Sequence, residues 1–381
     1  MHSKSLYKGF VRLFRMLLRV ADVKSVIYPD HPRVLFISNY RDEEDRKLFG
    51  FEGEALPDVL RWVKFSFKDV LAQLFMIGTI AEELSAKRGI QQAREQFVSA
   101  LKMSSKKDVV LLGAGTKRIW GRNANHLRKD FPGTIFTIGD SMTTLALRKD
   151  VERAIGISGS DNPRVLVIGP SGFLGEQMVS FLHERGHDVS GIGSDPGRRE
   201  YVRQKFGIPV FGEFAGIGKM DIVVACSHNP ALRLTRERVR MLRRAGRRLI
   251  VVDVCEPPNF PLEEFRKCED EVIRLDAGMV YSNNLHLVTG PIAEWILRLY
   301  PKTIWGCFGE ALVIAHHLAR GENKFGEANW MEVSEENIRL LEETSFGDGR
   351  DFTLPPPMCF GKKVRNLDME CSTDDTPRIA A

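Results

Sequence analysis

The chain is expected to adopt an α/β fold: a parallel sheet covered by helices on both faces, preceded by a further α/β segment and followed by helices. Three observations carry this expectation. Between residues 163 and 281, short runs rich in Val and Ile alternate with polar stretches of helical character. Those runs are near-continuously apolar, the pattern of strands buried on both faces. A glycine-spaced turn, "GPSGFLG" at 169–175, sits directly between the first run and the first helix.

From the N-terminus, Lys8, Arg12, Arg15 and Arg19 recur at steps of three or four and share one helical face. Phe10, Leu13, Phe14, Leu17 and Leu18 fill much of the remainder. A basic amphipathic helix of this kind suits three roles: peripheral contact of residues 4–20 with an anionic membrane, contact with an acidic protein, or docking on its own domain. "PRVLFISNY" (32–40) predicts a strand. Residues 57–84 and 89–104 carry helical spacing, with Pro57 and Asp58 near the start of the first. "DVVLLGAGTKRIWG" (108–121) is a buried strand entering a glycine turn. A second unit of this kind follows from 133, its strand ending at Gly139 and Asp140 or Ser141 capping the next helix.

These elements form an N-terminal α/β substrate domain, 1–155. The polar, glycine-rich "GISGSDN" (156–162) marks the boundary to the sheet domain, 156–290. Residues 291–347 turn helical again. The segment 348–381, rich in Pro, Asp and Thr, has the composition of a mobile tail.

Within "VLVIGPSGFLGEQM", Gly169, Gly172 and Gly175 stand at the strand–helix turn of a Rossmann-type domain. One glycine permits the turn, another lets backbone approach a pyrophosphate, and the third lets helix pack on strand. Ser171, Phe173 and Leu174 supply the remaining backbone of that phosphate cradle at the helix start. The end of the second strand, "GIGSDPGRRE", selects the cofactor. Asp195 would serve the ribose of NAD, whereas Ser194 with Arg198 and Arg199 would hold the 2′-phosphate of NADPH. The serine at the strand tip and the paired arginines favour NADPH. Ser227, at the end of the strand "DIVVACS", completes the cofactor-binding set.

The 55 Lys and Arg against 50 Asp and Glu give +5, too small a bias to imply nucleic acid and suited to an acidic partner. No metal site is expected: the six cysteines lack paired or Cys/His ligand spacing, and with no secretion signal they read as reduced thiols of a cytoplasmic protein, membrane-associated only through residues 4–20. Cys226 and Cys255 lie at strand ends, where ligands of such sheets bind, and are equally read as small packed residues. Cys307 stands where a helix begins, a place that favours the thiolate. On the residues alone it is either a nucleophile or a packed thiol. Glu310, one turn on, is within reach and is the second catalytic candidate, although an ionised carboxylate there opposes thiolate formation unless it is protonated or turned away.

Several blocks resemble the long-chain acyl-[acyl-carrier-protein] reductases of cyanobacteria: "LLGAGTKRIWGRN", "TIGDSMTTLALRKDVERA", "GPSGFLGEQMVSFL" and "CFGEALVIAHHLARGENKFGEANWMEVSEENIRLLEE". Together they span roughly residues 90–346, while the first 90 residues match poorly and the tail does not match. The resemblance implies NADPH-dependent reduction of a fatty acyl thioester, delivered on acyl carrier protein or coenzyme A, to the aldehyde. It also implies Cys307, in "CFGEA", as the acyl-accepting nucleophile. Two other readings stand beside it: an NADP-dependent alcohol or keto-acid dehydrogenase of shikimate-dehydrogenase-like architecture, and a non-catalytic NADP-binding protein.

Overall fold

The computed structural model describes residues 32–43, 46–47, 58–104, 107–120, 125–287 and 299–364. The amphipathic stretch 4–20 lies outside them, as do residues 365–381. The chain divides into two compact units. The first combines residues 1–143 with 280–353, and the second combines 144–279 with 354–381.

The first unit opens with strands β1 (Val34–Tyr40), β2 (Val59–Phe67) and β3 (Val70–Ile80). The helix expected over 57–84 is instead a β-hairpin. From Val63 to Phe67 burial alternates with period two, and a turn at Lys68–Asp69, with Lys68 at φ +51°, joins the strands. β3 is buried along nearly its whole length. An apolar run on both faces also satisfies helical spacing, which is why periodicity misled here. Helix α1 (Lys87–Lys102), strand β4 (Val109–Leu112), helix α2 (Thr116–Ile119) and strand β5 (Ile135–Thr137) follow. β3, β1, β4 and β5 are parallel neighbours in that order, with β2 antiparallel outside β3. Helix α3 (Asp140–Ser158) then carries the chain out of the first unit and into the second.

The second unit holds strands β6 (Arg164–Ile168), β7 (Asp188–Ile192), β8 (Val210–Phe211), β9 (Ile222–Ala225), β10 (Leu249–Asp253) and β11 (Val272–Asp276). Helices α4 (Phe173–Glu184), α5 (Pro196–Phe206) and α6 (Arg236–Leu242) connect several of them. The sheet order is β11-β10-β9-β6-β7-β8, and its pairings are parallel. This is the doubly wound order of dinucleotide-binding sheets, with its reversal point between β6 and β9. Alternate residues of β6 face opposite cores. Val165 and Val167 pack with Met178, Phe181 and Leu182 of α4, and Leu166 and Ile168 pack with Val239 and Leu242 of α6.

The chain re-enters the first unit at Val280. A short strand, Leu285–Leu287, adds antiparallel to the outside of β2, and helix α7 (Gly306–Ala319) packs on β1, β3 and β4. The boundary expected near 155 therefore falls at 143, inside α3, and the helical segment after 290 is part of the first unit. The tail expected from 348 is structured through Val364. Phe352 is fully buried, Met358 nearly so, and Met358–Cys359 pairs with Lys362–Lys363. Those apolar residues are scattered among prolines and charges, which conceals them in a compositional reading. Among the described residues no helix is long and apolar enough to cross a membrane.

Candidate functional site

In the second unit, Gly169 turns the chain back after β6 with φ +80°, and its N–H donates to the Ile192 carbonyl at 2.9 Å. A Cβ at Gly169 would lie 2.6 Å from the Cβ of Ser227, and one at Gly175 would lie 2.0 Å from the Gly169 carbonyl oxygen. Neither position tolerates a side chain. Gly172 is different: at φ −79°, ψ 165° a Cβ there would meet only the Gly169 oxygen, at 3.4 Å. The first glycine makes the turn, the third seats α4 on β6, and the middle one opens onto free space. Gly172 is also the N-cap of α4 and no side chain caps that helix, so its first-turn N–H groups offer a partial positive charge. This arrangement fits a pyrophosphate. Ser171 is half-buried, Phe173 is 56% exposed beside the turn, and Leu174 packs on the core, leaving its backbone as its contribution.

Across the reversal point, Asn229 joins two of the expected residues. Its N–H donates to Ser227 Oγ at 3.2 Å and its Nδ2 donates to Ser194 Oγ at 2.9 Å. Sequence reasoning missed Asn229; its signal is "HNP", a turn cap, and Asn229 Oδ1 indeed accepts the Ala231 N–H. Asp195 is the N-cap of α5, accepting the Arg198 N–H at 2.8 Å. The two arginines differ. Arg199 Nη1 donates to the carbonyls of Gly193 and Ser194, both at 3.0 Å, and its guanidinium covers Gly212. Arg198 is exposed. Cys226 and Cys255 offer no ready thiolate: burial, and the charge of Asp253, push both thiols well above the usual range, and the Cys255 thiol donates to the Ala225 carbonyl.

In the first unit, the centre is a contact between Gly139 and Cys307. Gly139 lies between β5 and α3 at φ +73°, and a Cβ on it would fall 2.2 Å from the Cβ of Cys307 and 2.5 Å from its Cα. Two helices thus begin at one point, α3 at Asp140 and α7 at Gly306. Glu310, fully buried on α7, braces the contact. One carboxyl oxygen accepts from the Thr137 hydroxyl and the other accepts the Met142 N–H at 2.9 Å. It caps the start of α3 from outside, and both its oxygens are engaged in these bonds. Burial raises Glu310 to about 7, against the lowering effect of those two bonds.

From a third side, Lys117 on α2 forms an ion pair with Asp140, which is 4% exposed. Burial lowers Lys117, but Asp140 and the Cys307 thiol outweigh that and raise it. Cys307 itself is half-buried. Burial pushes its thiol up to about 12, Lys117 pulls it down, and Asp140 and Glu310 push it further up. The helix start does not decide its ionisation as position alone suggested; desolvation does. The glycine turn 113–115 is not a free anion hole, because the Gly113 N–H donates to the Ile37 carbonyl and the Gly115 N–H to Asn39 Oδ1. His316 is held by Asp69 at 2.5 Å. Sequence reasoning missed Lys117 as a member of this cluster; its signal is a cation directly after the glycine turn, in "GTKRIWG".

No protein-family model matches the chain, and no curated protein sequence does. Similar solved structures include L-tryptophan dehydrogenase from Nostoc punctiforme, at 14% identity over 82% of this chain and 90% of that one, TM-score 0.38. A shikimate 5-dehydrogenase-like protein is 10% identical over 82% of this chain and 96% of that one, TM-score 0.32. A phosphoglycerate oxidoreductase from Rhizobium etli is 10% identical over 64% of this chain and 79% of that one, TM-score 0.31. These are distant likenesses.

The geometry of the two glycine positions and of Glu310 can be checked directly. Gly172→Ala is expected to leave the urea-unfolding midpoint unchanged while weakening dinucleotide binding at least about tenfold, roughly 1.4 kcal/mol. Gly175→Ala instead costs about 2–3 kcal/mol of stability through overpacking. Equal destabilisation by both would remove the cradle. Glu310 gives a pH signature. Its folded value lies above its unfolded one, so the folded state holds an extra proton between pH 4.5 and about 7, and stability falls as pH rises through that window. Relative to Glu310→Gln, wild-type protein should lose about 3 kcal/mol across it, measured by urea unfolding at pH 4.5 and pH 8. A pH-independent difference would contradict the burial of an acid there.

Proposed function

We propose that the protein is a nicotinamide-dependent oxidoreductase that reduces an acyl thioester to an aldehyde, with NADPH as reductant and Cys307 as acyl acceptor. The observation that carries this reading is the convergence of a lysine ammonium and two helix starts on one cysteine, in a chain that also contains a dinucleotide cradle. The "CFGEA" resemblance supports it.

Acyl transfer to Cys307 exchanges one thioester for another, so the step is close to isoenergetic and its barrier is one of charge and position. The thiolate of Cys307 attacks the carbonyl, the carrier thiol leaves and takes a proton, and the acyl group stays on Sγ. NADPH, when bound, supplies the hydride that brings this acyl group to the aldehyde level. N–H groups at the starts of α3 and α7 can hold the oxygen of the hemithioacetal, whose collapse releases aldehyde and frees the Cys307 thiolate. Gly139 keeps side-chain bulk away from that oxygen, and Glu310 holds the α3 start rigid, which makes it a positioning residue. Ser194 and Arg198 recognise the 2′-phosphate; Arg199 shapes the strand tip through the Gly193 and Ser194 carbonyls. An acidic acyl carrier protein suits the net-basic chain, and coenzyme A is the other carrier.

The raised thiol favours one rival reading, a dehydrogenase in which Cys307 takes no chemical part. The two separate cleanly. Wild-type protein incubated without NADPH with acyl thioesters of either carrier should gain one acyl mass on the Cys307 peptide. Cys307→Ser should keep the fold and NADPH binding but form almost no aldehyde. Acyl mass on Cys226 or Cys255, or an active Cys307→Ser, refutes the proposal. For the cofactor, Arg198→Ala should weaken NADPH by about 1.5–3 kcal/mol and leave NADH nearly unchanged in fluorescence titrations. Equal losses would move the preference away from the phosphate.

A further inference from the structure

The ionic arrangement around Cys307 points to a gate that the reaction scheme alone does not require. Lys117 extends from α2 to the first residue of α3, Asp140, and Asp140 is adjacent in sequence to Gly139, whose backbone abuts Cys307. The lysine side chain is one-quarter exposed and the aspartate side chain 6% exposed, so the pair is only partly screened by water. Among the described residues, three charged or titratable groups act on the thiol from the elements packed around it: Lys117 from α2, Asp140 from α3 and Glu310 from α7 itself. One of the three is a cation. In the structure its ammonium is committed to Asp140.

We propose that Asp140 and the Cys307 thiolate compete for the ammonium of Lys117, so that the nucleophile is gated by which partner the lysine holds. With Lys117 on Asp140, the thiol keeps its proton. When Lys117 turns to sulfur, the S–H bond breaks, the proton passes to water, and the thiolate is held by the lysine, which stays protonated throughout. The cysteine is thereby silent at rest, protected from oxidants and stray electrophiles, and becomes reactive only when Asp140 is neutralised or displaced. A positively charged or hydrogen-bond-donating group on an arriving substrate would do this. The inference rests on Cys307 being the acyl acceptor for its biological meaning, but the gate itself is testable without any acyl substrate.

The test is the rate of Cys307 alkylation by iodoacetamide as a function of pH, followed by mass spectrometry of the Cys307 peptide. Asp140→Asn keeps the size of the side chain, removes its charge, and is expected to accelerate alkylation about tenfold at fixed pH, an inflection about one unit lower. Lys117→Met should slow it by a similar factor, and Lys117→Arg, which keeps the charge, should follow wild-type protein. Competition makes a further demand. In the Lys117→Met background, Asp140→Asn should produce a much smaller acceleration, because no ammonium remains to be released. Equal acceleration in both backgrounds means simple repulsion by Asp140 and overturns the gate, as does slowing by Asp140→Asn. Circular dichroism of each variant identifies any that fail to fold; Asp140→Ser then takes the place of Asp140→Asn, and Lys117→Gln that of Lys117→Met, with the same expected directions. A gate that fails while Cys307 still acquires the acyl group leaves the proposed reaction intact. A gate that holds in a protein that never acylates sinks the reaction and leaves a regulated thiol.

Discussion

Everything at the thiol depends on the absence of one methyl-sized group at residue 139. With any side chain there, its Cβ would crowd Cys307 Cβ from 2.2 Å away, and the starts of α3 and α7 could not share a point. The left-handed backbone at Gly139 reinforces this, since L residues adopt it only at a cost. Once the two helix starts meet, the other features follow from electrostatics and desolvation. Helix α3 needs its first N–H groups satisfied, and Glu310 reaches across to accept one of them. A carboxyl group driven into that position loses its water and holds its proton more tightly. Asp140, at the helix start, gains a lysine partner.

The two glycine turns of the chain do different work despite similar spelling. After β6, glycine spacing leaves an open volume at Gly172 in front of an uncapped helix. After β4, the Gly113–Gly115 turn spends its N–H groups on β1 and on Asn39, and a Cβ at Gly115 would collide with Leu84 at 2.6 Å. The first leaves space and helix-start donors open, and the second is closed by packing. Donor accounting distinguishes them where a motif cannot.

Much of the second unit was legible in the sequence because most of its strands are buried on both faces, so β6, β7, β9, β10 and β11 announce themselves as apolar runs with polar punctuation, whereas the two-residue β8 does not. Gly169, Gly172 and Gly175 were legible for the same reason: their spacing is a local property. What escaped was non-local. The β2–β3 hairpin satisfied helical spacing because β3 is apolar on both sides. Asn229 acquires its role only when β9 lies beside β6, and Lys117 only when α2 is brought to α3. Cys307 was visible as a helix-start cysteine, but the dominant influence on its thiol, burial, cannot be read from neighbours in sequence. Arg198 and Arg199 are adjacent and alike on paper, yet one is exposed and the other tied to two carbonyls.

The excursion of the chain out of the first unit and back has a consequence for biosynthesis. All six strands of the second sheet have been made by Asp276, whereas the first unit still lacks α7 and everything through Thr353. As the polypeptide emerges from the ribosome, the second sheet can pair its strands before residues 354–364 join that unit, while the first unit waits with β1, β3 and β4 uncovered by α7. Cys307 enters its charged surroundings only after all the strands of the second sheet have been made, so a chain stopped at Asp276 carries the glycine turn after β6 and no assembled thiol. Such a fragment holds the open turn at Gly172 and lacks the contact between Gly139 and Cys307.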